Sequence, residues 1–260
     1  MDYLAQVDLG HGWILERFAT LESTNTALVE IARQGGQEGI CLAAEHQSAG
    51  KGRLGRQWDD EFGRSLLASV LCFPNFDLPD FFAITAAMSL AALEALDRYR
   101  VAPAIKWPND IMVGEAKMAG ILAETGESGQ RRFVVVGIGM NVNQSEAELA
   151  GLGRPATSLG VLLASELSTK QKEAFEIDLL QRFQGHYLAL QSDFARSFAR
   201  LLSLYRARCS TLHSFVRVNL NDGESISGRV LDVSNQGQLL VELDSCIRSI
   251  SAGDVEHLYR

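Results

Sequence analysis

Ser48 to Trp58 reads S-A-G-K-G-R-L-G-R-Q-W, and neither a buried strand nor a helix interior accommodates three glycines and three cations in eleven residues. It must be a surface loop. The apolar stretches on either side, Gly39 to Glu45 and Ser65 to Phe73, predict the two strands that carry it. Glycine permits positive φ and lets amide N–H groups approach a ligand closely, while Lys51, Arg53 and Arg56 offer charge to phosphate or carboxylate. The trailing Trp58 is placed to stack on a base.

Two familiar loops are excluded. Gly50 to Gly55 matches G-x-G-x-x-G, but a dinucleotide loop needs Gly55 to open a helix, and Arg56-Gln57-Trp58-Asp59-Asp60 is a polar loop instead. The Walker A pattern fails because Glu45 stands at its first glycine and Gly52 where Ser or Thr would hold magnesium. On its own the loop also fits an exposed basic turn, and it is the motifs further along that weigh against this. A net charge of −8 and a pI near 5.2 argue against general nucleic-acid binding, so the loop is a local positive site on an acidic body. A small anionic ligand is expected.

At 260 residues, 47% hydrophobic and 22% charged, the chain suffices for one large core and a small extra domain. Cys41, Cys72, Cys209 and Cys246 are scattered, without a C-x-x-C pair or a histidine cluster, so neither a disulfide framework nor a zinc site is expected. Such usage fits a reducing cytoplasm. The start lacks a basic leader, and the longest apolar run, Phe81 to Leu96, is interrupted by Thr85, Ser89 and Glu94 and is too short to span a bilayer.

Ahead of the loop, Trp13 to Phe18 reads as a short strand, and Leu21 to Thr26 leads into helical spacing at Ala27, Leu28, Ile31 and Ala32. Ser23 or Thr24 makes a good N-cap, and the same hydroxyls can line a polar pocket at a helix N-terminus. Beyond the loop, Leu78 to Tyr99 predicts a core helix with Asp80 in its first turn. Ala104 to Val113 carries Lys106-Trp107-Pro108-Asn109-Asp110. Pro108 cannot donate to a ladder, so it marks either a P-N-D turn between strands or a kink projecting Lys106, Asn109 and Asp110. A lysine and an acid on an apolar run require a partner or a ligand.

Lys117 to Glu124 and Arg132 to Gly137 predict further strands about a polar turn at Gly126 to Gln130. The second runs into Gly137-Ile138-Gly139-Met140-Asn141-Val142-Asn143, where the glycines admit a ligand and Asn141 can read a base, although a bulge or strand end explains the same string. Gln144 to Ser158 reads as a loop, and Lys172 to Leu190 and Phe194 to Arg206 as amphipathic helices. From Phe215, short alternating strands with tight turns, N-D-G at Asn221 to Gly223 among them, predict a small barrel. The boundary falls near Cys209 to Ser214, separating residues 1–212 from 213–260.

Taken in order, S-T-N at Ser23 to Asn25, Gln47 with the G-K-G-R-L-G-R-x-W loop, K-W-P-N-D at Lys106 to Asp110, K-M-A-G-I-L at Lys117 to Leu122 and G-I-G-M-N-V-N at Gly137 to Asn143 resemble the biotin-protein ligases. The resemblance implies an α+β fold, with a mixed central sheet and flanking helices of class II synthetase type, and an SH3-like C-terminal β-barrel. It also implies ATP- and Mg2+-dependent joining of biotin, through biotinoyl-5′-AMP, to a lysine of a biotin carboxyl carrier protein or the equivalent domain of a biotin-dependent carboxylase. Motif by motif, Ser23, Thr24, Asn25, Gln47, Gly50, Lys51, Gly52, Arg53, Lys106 and Gly120 would contact biotin or its activated carboxyl. Arg53, Arg56, Trp58, Asn109 and Asn141 would face ATP. Arg53, Lys106, Asp110 and Lys117 would be the catalytic set, with Asp110 holding magnesium or a lysine.

The chain departs from the family in two respects. Many relatives carry arginine at the position of Lys51, and lysine keeps the charge without the rigid fork. Bifunctional members have an N-terminal helix-turn-helix domain, whereas only about twenty residues precede Ser23 here. The expectation is therefore a monofunctional cytoplasmic enzyme, monomer or homodimer, with no nucleic-acid or membrane partner. Two rivals remain. A lipoate or octanoate ligase would use the same adenylate chemistry, but its R-R-x-x-G-G-G-A-V-x-H-D stretch is missing from the sequence. A non-catalytic biotin-binding regulator need not keep Arg53, Lys106 and Lys117 together, since such charges serve mostly the transition state.

Overall fold

Eight strands share one mixed sheet: β1 (Tyr3–Gly10), β2 (Trp13–Leu21), β3 (Ile40–Gln47), β4 (Ser65–Cys72), β5 (Pro103–Lys106), β6 (Asp110–Val113), β7 (Ala116–Ser128) and β8 (Arg131–Asn141). The structure is a computed structural model that describes residues 2–77, 81–220, 223–244 and 246–259. The order is β1-β2-β3-β4-β8-β7-β6-β5. Every neighbour is antiparallel except β2 with β3, a parallel pair joined through α1 (Thr24–Arg33). The other helices are α2 (Phe82–Asp97), α3 (Glu146–Ala150), α4 (Leu159–Leu163), α5 (Thr169–Ser192) and α6 (Phe194–Arg208). Strands β9 (Phe215–Asn219), β10 (Ser225–Val233), β11 (Leu239–Glu242), β12 (Ile247–Ile250) and β13 (Asp254–Tyr259) make a separate antiparallel sheet of order β12-β11-β10-β9-β13.

Side-chain parity along β8 explains how a cleft arises in a sheet coated on both faces. Val134, Val136, Ile138 and Met140 belong to the larger core, which also takes the buried residues of α2, α5 and α6. Phe133 and Val135 point the other way, into a smaller core with Leu28 and Ala32 of α1. The next residues on that second face are Gly137 and Gly139. Directly opposite Gly137 stand Ser69 and Leu122, and opposite Gly139 stand Leu67 and Gly120. Residues without side chains leave the sheet bare beside the N-terminus of α1.

The expected helices form with shifted limits, α5 and α6 longer and α2 shorter than their apolar spacing predicts. A capping box at Ser168 and Gln171 starts α5 before Lys172, and α2 begins at Phe82, while the Asp80 assigned to its first turn lies outside the described residues. So do Asn221 and Asp222 of the N-D-G turn. The expected loop Gln144 to Ser158 contains α3, capped by Ser145 and Glu148. Strand β1 was not foreseen, because this edge strand is largely exposed and has little apolar alternation to read. The β7–β8 hairpin is longer than expected and turns at Gly129, whose φ is +61°, because its far end is a half-exposed polar ribbon. Among the described residues no helix is long and apolar enough to cross a membrane.

Candidate active site

Over the bare glycines lies the basic loop, folded as a hairpin. Lys51 and Gln57 form a bridge, the Gly52 amide donates to Arg56 O at 2.7 Å, and the Trp58 amide donates to Gly50 O at 3.0 Å. A Cβ on Gly50 would come within 2.6 Å of the Trp58 carbonyl oxygen, so glycine is required there by the hairpin itself. No α-helix follows Gly55, in keeping with the exclusion of a dinucleotide loop. The Trp58 ring rests on the sheet: Cβ atoms added to Gly139 and Gly120 would lie 2.6 and 3.2 Å from it. Its Nε1 is buried without an acceptor among the described residues.

The inner end of the cleft is a network of hydroxyl and amide hydrogen bonds, backed by the Glu124 carboxylate. Gln47 Oε1 accepts from the Thr24 amide at 2.7 Å and from its hydroxyl at 3.1 Å, and the Thr24 and Ser69 hydroxyls are 2.7 Å apart. Ser69 donates to Asn25 Oδ1, while Asn25 Nδ2 donates to Glu124 Oε2 at 2.8 Å. Ser23 does cap α1, accepting from the Thr26 amide, and it lines the same end of the cleft. Both roles assigned to the S-T-N string are therefore filled by one helix start.

The K-W-P-N-D string is the turn between β5 and β6, and the turn is also part of the site. Its Trp107–Pro108 peptide is cis. Trp107 anchors it: the indole N–H donates to Gly237 O at 2.8 Å and the amide to Thr211 Oγ1 at 3.0 Å. This leaves Lys106, Asn109 and Asp110 facing the cleft. Asn109 Oδ1 accepts from Arg53 Nη1 at 3.1 Å, and its Nδ2 donates to Ile121 O at 2.7 Å. Asp110 accepts the Lys117 ammonium at 2.5 Å, so of the two partners expected for it the lysine is present.

The cavity, about 270 Å³, is lined by six cationic side chains, Lys51, Arg53, Arg56, Lys106, Lys117 and Arg154, against two carboxylates, Asp110 and Asp254. That excess of positive charge, on a chain of net charge −8, gives the cleft a local field that favours anions. Burial draws the Arg53 guanidinium below the usual arginine range, against the support of Asp254 and Asp110. Burial likewise lowers Lys117 from the ordinary 10.5, opposed by Asp110 and reinforced by Arg154 and Arg56. On its other flank the loop borders a second, more open cavity of about 690 Å³ shared with Phe82, Thr85 and Gln236.

Of the residues singled out from sequence, Ser23, Thr24, Asn25, Gln47, Lys51, Gly52, Arg53, Arg56, Trp58, Lys106, Asn109, Asp110, Lys117 and Gly120 converge on this one cavity. Gly50 borders only the second cavity. Asn141 is the correction. Although parity puts it on the cleft face, residues 155–158 cover that end, and it is buried with its Nδ2 donating to Thr157 O at 3.0 Å. It holds a neighbouring segment and is not among the residues that line the cavity. Sequence reasoning missed Ser69, whose only signal was a hydroxyl inside an apolar strand, and Arg154, set between Gly153 and Pro155. It also missed Asp254, which comes from the C-terminal sheet to pair with Arg56 and carried no local signal.

Comparison with known proteins converges on one family. Residues 18–141 match the Biotin/lipoate A/B protein ligase family and residues 213–258 the biotin protein ligase C terminal domain. The chain is 31% identical, over 97% of its length and 92% of the relative's, to biotin--[acetyl-CoA-carboxylase] ligase of Mycobacterium tuberculosis. It is 27% identical to the bifunctional ligase/repressor BirA of Bacillus subtilis, over 91% of this chain and 71% of that one. Among solved structures, biotin protein ligase from Aquifex aeolicus in complex with biotin and ATP has the same fold, with a TM-score of 0.78 at 24% identity over 95% of this chain and 99% of that one.

Proposed function

From the premise that this chain belongs to the biotin protein ligase family, we propose that it joins biotin to a lysine of a biotin carboxyl carrier protein in two steps, through biotinoyl-AMP. The observation that carries the reading is the pairing of a hydroxyl-and-amide end with a strongly cationic mouth in a single cleft. Biotin's ring system would take the hydrogen bonds of Ser23, Thr24, Asn25 and Gln47, and its carboxylate would reach Lys51, Arg53 and Lys106. Trp58, Asn109 and Arg56 would take the nucleotide, whose phosphates or ribose offer the acceptor that Trp58 Nε1 needs.

In the first step the biotin carboxylate oxygen forms a bond to the α-phosphorus of ATP, and the bond to the β-phosphate oxygen breaks with its electron pair on pyrophosphate. Two anions must meet, and cations in a partly dry cleft offset their repulsion several-fold better than water does. In the second step the acceptor lysine amine attacks the acyl carbon and AMP leaves. At a reference pKa near 10.4 only about one such amine in a thousand is neutral at pH 7.4. Asp110, at the cleft, is our candidate to take its proton. With a cavity on each flank, the Gly50 to Trp58 hairpin has room to move, which suits a lid that keeps water from the mixed anhydride.

Magnesium accompanies ATP in this reading. Among the described residues no group of three or more His, Cys, Asp or Glu side chains is placed to hold a metal ion, and Asp110 already accepts Lys117. Asp110, a carboxylate lining the cleft, would be the residue to hold magnesium, which would supply charge neutralisation for the phosphates. Residues 1–212 would be the catalytic unit and 213–260 the barrel-like unit that supplies Asp254. The test is mass spectrometry of purified protein given ATP, magnesium and equimolar biotin, lipoate and octanoate. Biotinoyl-AMP alone is the expected product; lipoyl- or octanoyl-AMP would move the chain to the sister activity, and biotin binding without an adenylate to a regulatory role.

A further inference from the structure

Arg154 projects into the cleft from a segment that is fastened to the catalytic strand. The Lys117 amide donates to Pro155 O at 3.0 Å and the Thr157 amide donates to Lys117 O at 2.9 Å, so the two bonds bracket Lys117. Asn141 secures the same segment through Thr157 O, and the Ser158 hydroxyl does so through Gln144 O at 2.7 Å. Gly153, at φ +65°, turns the chain just before Arg154. The guanidinium that results is exposed and has no hydrogen bond or ion pair among the described residues, whereas Lys51, Arg53, Arg56 and Lys117 all have protein partners. Its charge is close enough to depress the Lys117 ammonium, so the segment holds two cations together that repel each other unless an anion lies between them.

We infer that Arg154 is a further substrate-binding residue of the first step, gripping the β- and γ-phosphates of ATP and then the departing pyrophosphate; this rests on the adenylation reading above. The biotin carboxylate approaches from the inner end, so the leaving group must depart in line toward the mouth, where Arg154 stands beside Lys117. A guanidinium takes two phosphate oxygens at once, which suits a group that must be held while charge builds on it. The assignment also gives the G-I-G-M-N string a purpose: Asn141 acts at one remove, as a positioning residue for this segment.

The test separates the half-reactions. Arg154→Ala is expected to raise the KM for ATP and weaken inhibition by added pyrophosphate, each by at least about tenfold, since the alanine removes both charge-assisted hydrogen bonds of the fork. Acyl transfer from added biotinoyl-AMP to a carrier domain should stay within about twofold, because no pyrophosphate takes part in that step. Arg154→Lys should fall between alanine and wild type. An alanine variant with unchanged KM and pyrophosphate inhibition would overturn the inference, as would an equal loss in the transfer step. If wild-type protein forms no biotinoyl-AMP at all, the ligase reading itself falls and takes this assignment with it.

Discussion

The Ser69 hydroxyl donates to Asn25 Oδ1 at 2.6 Å, tying a strand in the middle of the sheet to the first turn of α1. Gly137, opposite Ser69, makes this possible, since a Cβ there would stand 2.0 Å from Asn25 Oδ1 and 2.8 Å from Ser69 Oγ. Gly137→Ala must therefore expel Asn25. Biotin affinity measured by calorimetry is expected to fall at least tenfold, about 1.4 kcal/mol. Ser69→Ala, which orphans an acceptor without a clash, should have a smaller effect. If Gly137→Ala binds biotin like wild type, Asn25 is not a biotin contact.

Arg53 crosses the cleft to Asn109, fastening the hairpin to the β5–β6 turn. Arg53→Gly removes the crossing and adds freedom to a loop already rich in glycine. Biotinoyl-AMP should then escape and label exposed lysines of bystander proteins, which streptavidin blotting would detect. Unchanged retention of the intermediate would refute the lid argument.

In the proposed adenylation Lys117 would serve as a cation, so its contribution would persist below its folded pKa and be lost as pH rises through that value. Because burial lowers the value from 10.5, adenylate formation should decline along an alkaline limb that begins below 10.5. Asp110 is the group that supports the charge, so Asp110→Asn should move that limb to still lower pH. A limb that stays in place would mean another group titrates. Lys117→Ala should suppress adenylate formation, with less effect on transfer from added biotinoyl-AMP.

Far from the cleft, Arg17 Nη2 lies 2.7 Å from Glu176 Oε2, and both residues are buried. Burial raises the Glu176 carboxyl above its ordinary range, and Arg17 opposes the shift. Arg17→Met leaves a buried carboxylate without its main partner and should cost about 3–5 kcal/mol in urea unfolding. Arg17→Met with Glu176→Leu should recover most of that loss. A double variant as unstable as the single one would show that packing, not the orphaned charge, is responsible.

Much of the site was legible because its chemistry is local in sequence. Lysines and arginines set among glycines announce a loop, and Lys106 to Asp110 announces a turn, wherever the tertiary structure places them. Ser69 was not legible, because it matters only through the register that sets it opposite Gly137. Arg154 and Asp254 reach the cleft from segments that follow the last motif, so no spacing rule links them to it. Asn141 shows the opposite error: parity gave it the correct face of the sheet, but the segment covering that face is invisible to parity. Strand β1 escaped for a similar reason, since an exposed edge leaves little alternation to detect.

The hydrogen bond from Trp107 to Gly237 joins residues 130 positions apart, at the tips of two hairpins in different sheets. Gly237, at φ +76°, is packed so closely that a Cβ would lie 2.3 Å from the Phe82 ring. A C-terminal module grafted onto this chain must therefore bring a glycine at its hairpin tip to meet Trp107 and clear Phe82. A graft that ignored this match would fail at the seam between the modules, loosening the turn that presents Lys106 and Asp110 while every charged residue of the cleft was still in the chain.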